Sequence, residues 1–205
     1  MQFIGQNPEE PKKSFPAIEA GLYFHTLSDG TWGLSDVIDW LASSSQIVSL
    51  VVSTWTASID GIDKLVATCT NNAINDLRFL TDFSFANRHI VPCEHLRSVV
   101  GDDRIRCWNS HAKFVVATGD VPTLILTSAN LNKNKRLENF SVLCDPVLVE
   151  QYLDLVDRLF QLQNDGDGFM SSKEGRRDTK ALLHTVSDDP MKDLNFDDVD
   201  LENLF

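Results

Sequence analysis

Apolar positions along the chain fall into two rhythms. A near-continuous, β-branched run from Ile47 to Thr56 reads as a strand buried on both faces. Shorter runs at Leu77 to Phe85, Arg104 to Trp108, His111 to Ala117, Thr123 to Thr127 and Phe140 to Leu143 read as further strands. Between them the spacing changes to that of helices. Ser35 to Leu41 carries Val37, Ile38 and Leu41 behind Ser35 as an N-cap, and Asp60 to Ile74 carries Ile62, Leu65, Val66 and Cys69 behind Asp60. Pro146 to Leu162 is the clearest helix, with a proline at its start and Leu148, Val149, Tyr152, Leu153, Val156, Leu159 and Phe160 at helical spacing. Gly119-Asp120-Val121-Pro122 punctuates the chain between two strands, and Asp120 reads as a turn residue there.

Strands alternating with helices predict an α/β domain whose sheet is covered on its faces. Three prolines, Pro8, Pro11 and Pro16, make residues 1–20 an expected extended arm. The domain itself is expected over 21–164. From 165 to 205 the composition turns to Gly, Asp, Ser and Lys, the mark of a linker and an acidic disordered tail.

Composition narrows the class. Apolar residues make up 42% of the 205 and charged residues 23%, as in an ordinary globular protein. No apolar run is long enough to cross a bilayer, and the charged, proline-containing N-terminus does not read as a secretory signal. Cys69, Cys93, Cys107 and Cys144 are scattered without a C-x-x-C pair, which fits neither a zinc site nor a small disulfide framework. Free thiols in a reducing cytoplasm are the expectation.

The net charge is −12, and half of it lies between Asp188 and Phe205, where seven acids face one lysine. A broadly basic nucleic-acid binder is thereby excluded. Cations gather locally instead, with Arg97, Arg104 and Arg106 before the stretch that carries chemistry and Lys133, Lys135 and Arg136 after it. Such a local field can focus an anionic substrate on one site of a negative protein. Arg104, Arg106, Lys133, Lys135 and Arg136 are the candidate substrate-binding residues.

That stretch runs His111-Ala112-Lys113, then Thr127-Ser128-Ala129-Asn130. Residues two apart on a strand share a face, so His111 pairs with Lys113 and Ser128 with Asn130. If the strands are neighbours joined at Gly119-Asp120, the four side chains meet at one end of a sheet. An imidazole, an ammonium, a hydroxyl and an amide together suit a phosphodiester: the imidazole attacks phosphorus or protonates a leaving oxygen, and lysine and asparagine stabilise the non-bridging oxygens.

On these residues the chain resembles the phospholipase D-like superfamily, whose signature is H-x-K, four residues, Asp, then G/T-S-x-N one strand later and a Glu after that. Here stand His111-x-Lys113, Thr127-Ser128-Ala129-Asn130 and Glu138. Ile47 to Ser58 and the helix after it are similar to the family's entry strand and helix, and the likeness covers residues 40 to 160. It implies a mixed β-sheet flanked by helices on both faces. It also implies catalysis by His111, Lys113, Ser128, Asn130 and Glu138 through a phosphohistidine, without metal or cofactor. The family's Asp position falls on Thr118. Relatives of tyrosyl-DNA phosphodiesterase also lack that Asp, so its loss does not imply inactivity.

The family needs two half-sites, and His25, His89, His95 and His184 lack a lysine two residues on. One motif per chain implies a homodimer sharing its site across the two-fold axis. Small size, a single motif and no membrane element favour a nuclease acting on DNA or RNA over a lipase. The competing readings are a degraded module that holds nucleic acid without cutting it, and an adaptor recruited through its tail. In that tail Leu194, Phe196, Leu201, Leu204 and Phe205 punctuate the acids as anchors for a protein partner. Gln163 to Glu174 resembles an EF-hand loop, with Asp165, Asp167, Gly168 and Glu174 in register. Gln163 stands where a carboxylate is expected, so the segment reads as a helix-ending turn rather than a calcium site. Trp55 and Trp108 read as core residues ahead of base-stacking platforms.

Overall fold

The computed structural model describes residues 2–6, 11–133 and 135–163. In chain order they form β1 (Gln2–Gln6), α1 (Pro11–Ser14), β2 (Tyr23–Ser28), α2 (Leu34–Ser44), β3 (Ile47–Thr54), α3 (Ile59–Asn71), β4 (Asp76–Asp82), α4 (Phe83–Arg88), α5 (Ile90–Val100), β5 (Ile105–Trp108), β6 (Phe114–Gly119), β7 (Thr123–Thr127), β8 (Glu138–Leu143) and α6 (Pro146–Leu162). The strands make one mixed sheet in the order β1-β2-β8-β7-β6-β3-β4-β5. β3, β4 and β5 run parallel, while β6 joins β3 antiparallel and β7 and β8 continue as a meander.

β3 lies inside the sheet between β6 and β4, which explains its near-continuous apolar run. Leu50 and Val52 point to one face with Phe79, Val115, Ile125 and Phe140, where α2, α3 and α5 pack. Val51 points to the other with Leu80, Phe114, Val116 and Leu124, against Val149, Val156 and Leu159 of α6. The sheet is thus covered by helices on both faces, as the alternation of strands and helices predicts.

Within residues 1–20, the described stretches form a strand and a short helix where an extended arm is expected. β1 pairs parallel with β2 at the edge of the sheet, and Pro11–Ser14 is helical. Phe15 is buried, with ring centroids 5.1 Å from Phe24, 5.4 Å from Trp32 and 4.9 Å from Trp40. Pro11 opens the short helix, and the aromatic cluster around Phe15 supplies the burial that anchors the chain just after it.

Helix starts also shift from their expected positions. α2 begins one residue before Ser35, because the Asp36 carboxylate reaches back to the Gly33 amide at 2.8 Å. The cap of α3 is Ser58, whose hydroxyl accepts from the Gly61 amide at 3.1 Å, in place of Asp60. Among the described residues no helix is long and apolar enough to cross a membrane. All four cysteines are buried free thiols, and burial pushes Cys107 up to about 12. The acidic tail and all of the calcium-loop pattern except Gln163 lie outside the described residues. The Gln163 side chain is spent elsewhere: its amide accepts from the Cys107 N–H and donates to the Cys107 carbonyl, both at 2.8 Å.

Candidate active site

The C-terminal end of β3 is where the chain gathers its chemistry. β6 starts there, β7 ends there and β8 starts there, because both meander partners run antiparallel to their neighbours. β6 begins at Phe114, so His111 and Lys113 sit on the approach to the strand rather than within it. Lys113 still joins the ladder through its carbonyl, which accepts from the Thr127 amide at 3.2 Å. His111 is exposed and Lys113 is buried. The Lys113 ammonium folds back to donate to the His111 carbonyl at 2.9 Å and to His111 Nδ1 at 3.2 Å.

Ser128 and Asn130 follow β7, beyond the reach of strand alternation, and their side chains have separate partners. The Ser128 hydroxyl donates to Glu138 Oε2 and accepts from the Asn139 amide at 3.0 Å. Asn139 Oδ1 in turn takes the Ser128 amide at 2.8 Å. Asn130 faces the turn after β3, where its Oδ1 accepts from the Trp55 amide at 3.2 Å and the Thr56 amide at 3.3 Å. These bonds take both amides away from the ladder, so β3 ends at Thr54, short of the expected Thr56. Two more bonds join the same loops: Thr54 Oγ1 accepts from the Leu131 amide at 3.0 Å, and the Leu131 carbonyl accepts from the Ser58 amide at 3.0 Å.

Burial lowers the Lys113 pKa below the usual lysine value, and the charge of Glu138 raises it in opposition. The five candidate catalytic residues His111, Lys113, Ser128, Asn130 and Glu138 therefore lie at one end of the sheet, with Glu138 within electrostatic reach of the lysine. Among the described residues no three His, Cys, Asp or Glu side chains are grouped as a metal centre would require.

The candidate substrate-binding residues divide. Lys133, Lys135 and Arg136 are exposed on the loop from β7 to β8, at the same end as Ser128 and Glu138. Arg104 and Arg106 are not brought there. Arg104 donates to the Asn75 carbonyl at 2.9 Å and lines a cavity of about 320 Å³ with Cys69 and Thr70, at the opposite end of β4. Arg106 is buried against the Phe160 ring at 4.4 Å and donates to the carbonyls of Asp103 and Ile105. Thr118 is also remote. Five residues along from Lys113, roughly 17 Å at strand rise, its hydroxyl meets that of Ser49 at 2.7 Å.

Three contributors lie far from the motif in sequence. Asp82, at the end of β4, caps α4 through the Ser84 amide at 2.8 Å and accepts from the Ser110 amide at 3.2 Å. Ser53 donates to the Ala112 carbonyl at 2.9 Å. Together they hold the loop that carries His111. The third is Trp55, whose ring lies 5.4 Å from that of His111 at 47°. In the sequence Asp82 and Ser53 fall inside the predicted strands, so nothing there marks this role.

No protein-family model matches the sequence, and neither does any curated protein. Solved structures do. Nuc from Salmonella typhimurium, a phospholipase D family member, superposes with a TM-score of 0.51 at 20% identity, over 68% of this chain and 94% of Nuc. Phosphatidylserine synthase from Haemophilus influenzae superposes with a TM-score of 0.52 at 16% identity, over 85% of this chain; the chain spans about half of that protein, 47%. With its mixed sheet, covered faces and nearly whole-length match to Nuc, the chain has the phospholipase D-like fold in its half-domain form.

Proposed function

We propose that the protein is a metal-independent phosphodiesterase, a nuclease acting on DNA or RNA through a phosphohistidine in a site shared by two chains. The observation that carries this reading is the convergence of His111, Lys113, Ser128, Asn130 and Glu138 at one end of a phospholipase D-like sheet. The exposed Lys133, Lys135 and Arg136 beside them suit a polyanionic substrate.

An ammonium can only donate, so its hydrogen bond to His111 Nδ1 holds the neutral ring with its proton on Nε2. In that form Nε2 can only donate a hydrogen bond, and its lone pair is not available to attack. A bound phosphate draws the Lys113 ammonium to its non-bridging oxygens and releases Nδ1, and the proton can then move there. The Nε2 lone pair attacks phosphorus, a P–N bond forms and the P–O bond to the leaving group breaks. His111 of the partner subunit, as the imidazolium protonated on both nitrogens, gives its Nε2 proton to the leaving oxygen and is left neutral. Water then attacks phosphorus, returns a proton to that second imidazole and breaks the P–N bond. Lys113 and Asn130 meet the charge that develops on the oxygens.

The main support for a degraded, non-cutting module is the threonine at the family's Asp position. Thr118 lies at the far end of β6, bonded to Ser49, so that departure removes no group from the neighbourhood of His111.

The test is cleavage of single-stranded and duplex DNA, RNA and phospholipid vesicles in EDTA, by the wild type and His111→Ala. Turnover should persist in EDTA and vanish in His111→Ala without loss of melting temperature, since an exposed imidazole contributes little packing. Equal cleavage by the two proteins would sink the reading.

A further inference from the structure

Trp55 stands apart from the other tryptophans of the chain. Trp32, Trp40 and Trp108 are 3%, 2% and 3% exposed and belong to the core. Trp55 is half-buried, on the turn between β3 and α3 beside His111. Its position is set by more than packing. Asn130 Oδ1 holds the Trp55 amide and the next one, and the Ser58 amide binds the Leu131 carbonyl three residues on. A Cβ at Gly61 would come within 2.3 Å of that same carbonyl, so the two loops touch where only glycine fits. The indole is therefore fixed to the same loop that presents Ser128 and Asn130. Its 47° tilt against the His111 ring is not a parallel stack, so the imidazole does not occupy the indole face as a stacked partner would.

We propose that Trp55 is the base platform of the site. It stacks on an unpaired nucleobase next to the phosphate that His111 meets, and so selects nucleic-acid single strands or frayed ends over duplex and over phospholipid. The inference rests on the phosphodiesterase reading for its place in a reaction. A planar indole face gains from any base, and stacking of this kind tolerates sequence. A diacylglycerol next to the phosphate offers no planar face. In a duplex the bases are stacked on one another and cannot reach the indole without unpairing. The exposed Lys133, Lys135 and Arg136 would take the flanking phosphates.

Because the other three tryptophans are buried out of a ligand's reach, the change in indole emission on titration reports on Trp55. His111→Asn, which blocks cleavage, is titrated with a single-stranded oligonucleotide, its abasic counterpart and a blunt duplex. The base-bearing strand should quench the emission and the abasic strand should not. Trp55→Ala should weaken binding of the base-bearing strand by roughly 5- to 100-fold and leave the abasic strand unchanged, while Trp55→Phe restores most of the affinity. Equal quenching by both strands, or equal weakening of both in Trp55→Ala, would overturn the proposal. So would wild-type cleavage of phospholipid vesicles at the rate of the single strand. Cleavage of a base-free phosphodiester separates the two ideas. If the wild type cleaves it while Trp55→Ala binds every strand normally, the platform fails and the phosphodiesterase stands. If nothing is cleaved, the phosphodiesterase fails, and the quenching still decides whether bases stack on Trp55.

Discussion

Glu138 does two things at once: it accepts the Ser128 hydroxyl and raises the pKa of Lys113 against the effect of burial. Glu138→Gln keeps the acceptor and removes the charge. The Lys113 pKa, already below the usual 10.5, should then fall further. If turnover needs Lys113 as an ammonium, the alkaline limb of the pH–rate profile must move to lower pH in Glu138→Gln. An unmoved limb would show that Lys113 does not titrate in the working range. The sequence made this pair legible because a histidine, a lysine, a serine and an asparagine stand at the family's spacing with Glu138 after them. It could not reveal Asp82 and Ser53, which hold the His111 loop from strand ends 29 and 58 residues upstream of it. Nor could it place Arg104 and Arg106. They are close to His111 along the chain, yet β5 turns one toward Asn75 at the far end and buries the other against Phe160.

At the scale of elements, the loop after β7 is joined to the turn after β3 through Asn130, and this gives the asparagine two separable roles. Its Oδ1 supports the turn by accepting from Trp55 and Thr56, while the proposed reading gives its NH2 group to chemistry. Asn130→Asp keeps an oxygen for the two amides and should melt near the wild type, with turnover lowered about 10²–10³-fold if the amide is a transition-state donor. Asn130→Ala should lose turnover and also about 1–3 kcal/mol of stability, since it leaves two amides without their acceptor. Thermal melts beside rate measurements would separate the two. A large stability loss in Asn130→Asp would show that the amide, too, is structural. The core strand β3 and the helix α6 were readable because one carries a near-continuous apolar run and the other a clean helical spacing of apolar residues. β2 was not: its buried positions include Thr26 and Ser28, which blur the alternation. α5 was hidden as well, with Ile90 and Val91 exposed, Pro92 in its first turn, and its inward face made by Cys93 and Leu96.

Over the whole molecule, the proposed dimer and the proposed substrate place opposite demands on charge. Each chain carries a net charge of −12, so two chains repel across any interface, and salt screens that repulsion. On the proposed reading nucleic acid meets instead the exposed loop of Lys133, Lys135 and Arg136, where contact would release counterions and salt would weaken binding. Composition made the first half of this legible, but only the fold separates that loop from Arg104 and Arg106 and leaves it as the cationic end of the site. The two processes should therefore respond to salt in opposite directions. Between about 50 and 200 mM salt, sedimentation should show the dimer tightening, while the affinity for a single strand falls with a log–log slope of roughly −2 per chain, as three phosphate contacts would give. Lys133→Ala, Lys135→Ala and Arg136→Ala combined should flatten that slope without altering the dimer. A strict monomer at micromolar concentration throughout the series would remove the shared site, because one motif per chain would then have no second histidine to protonate the leaving oxygen.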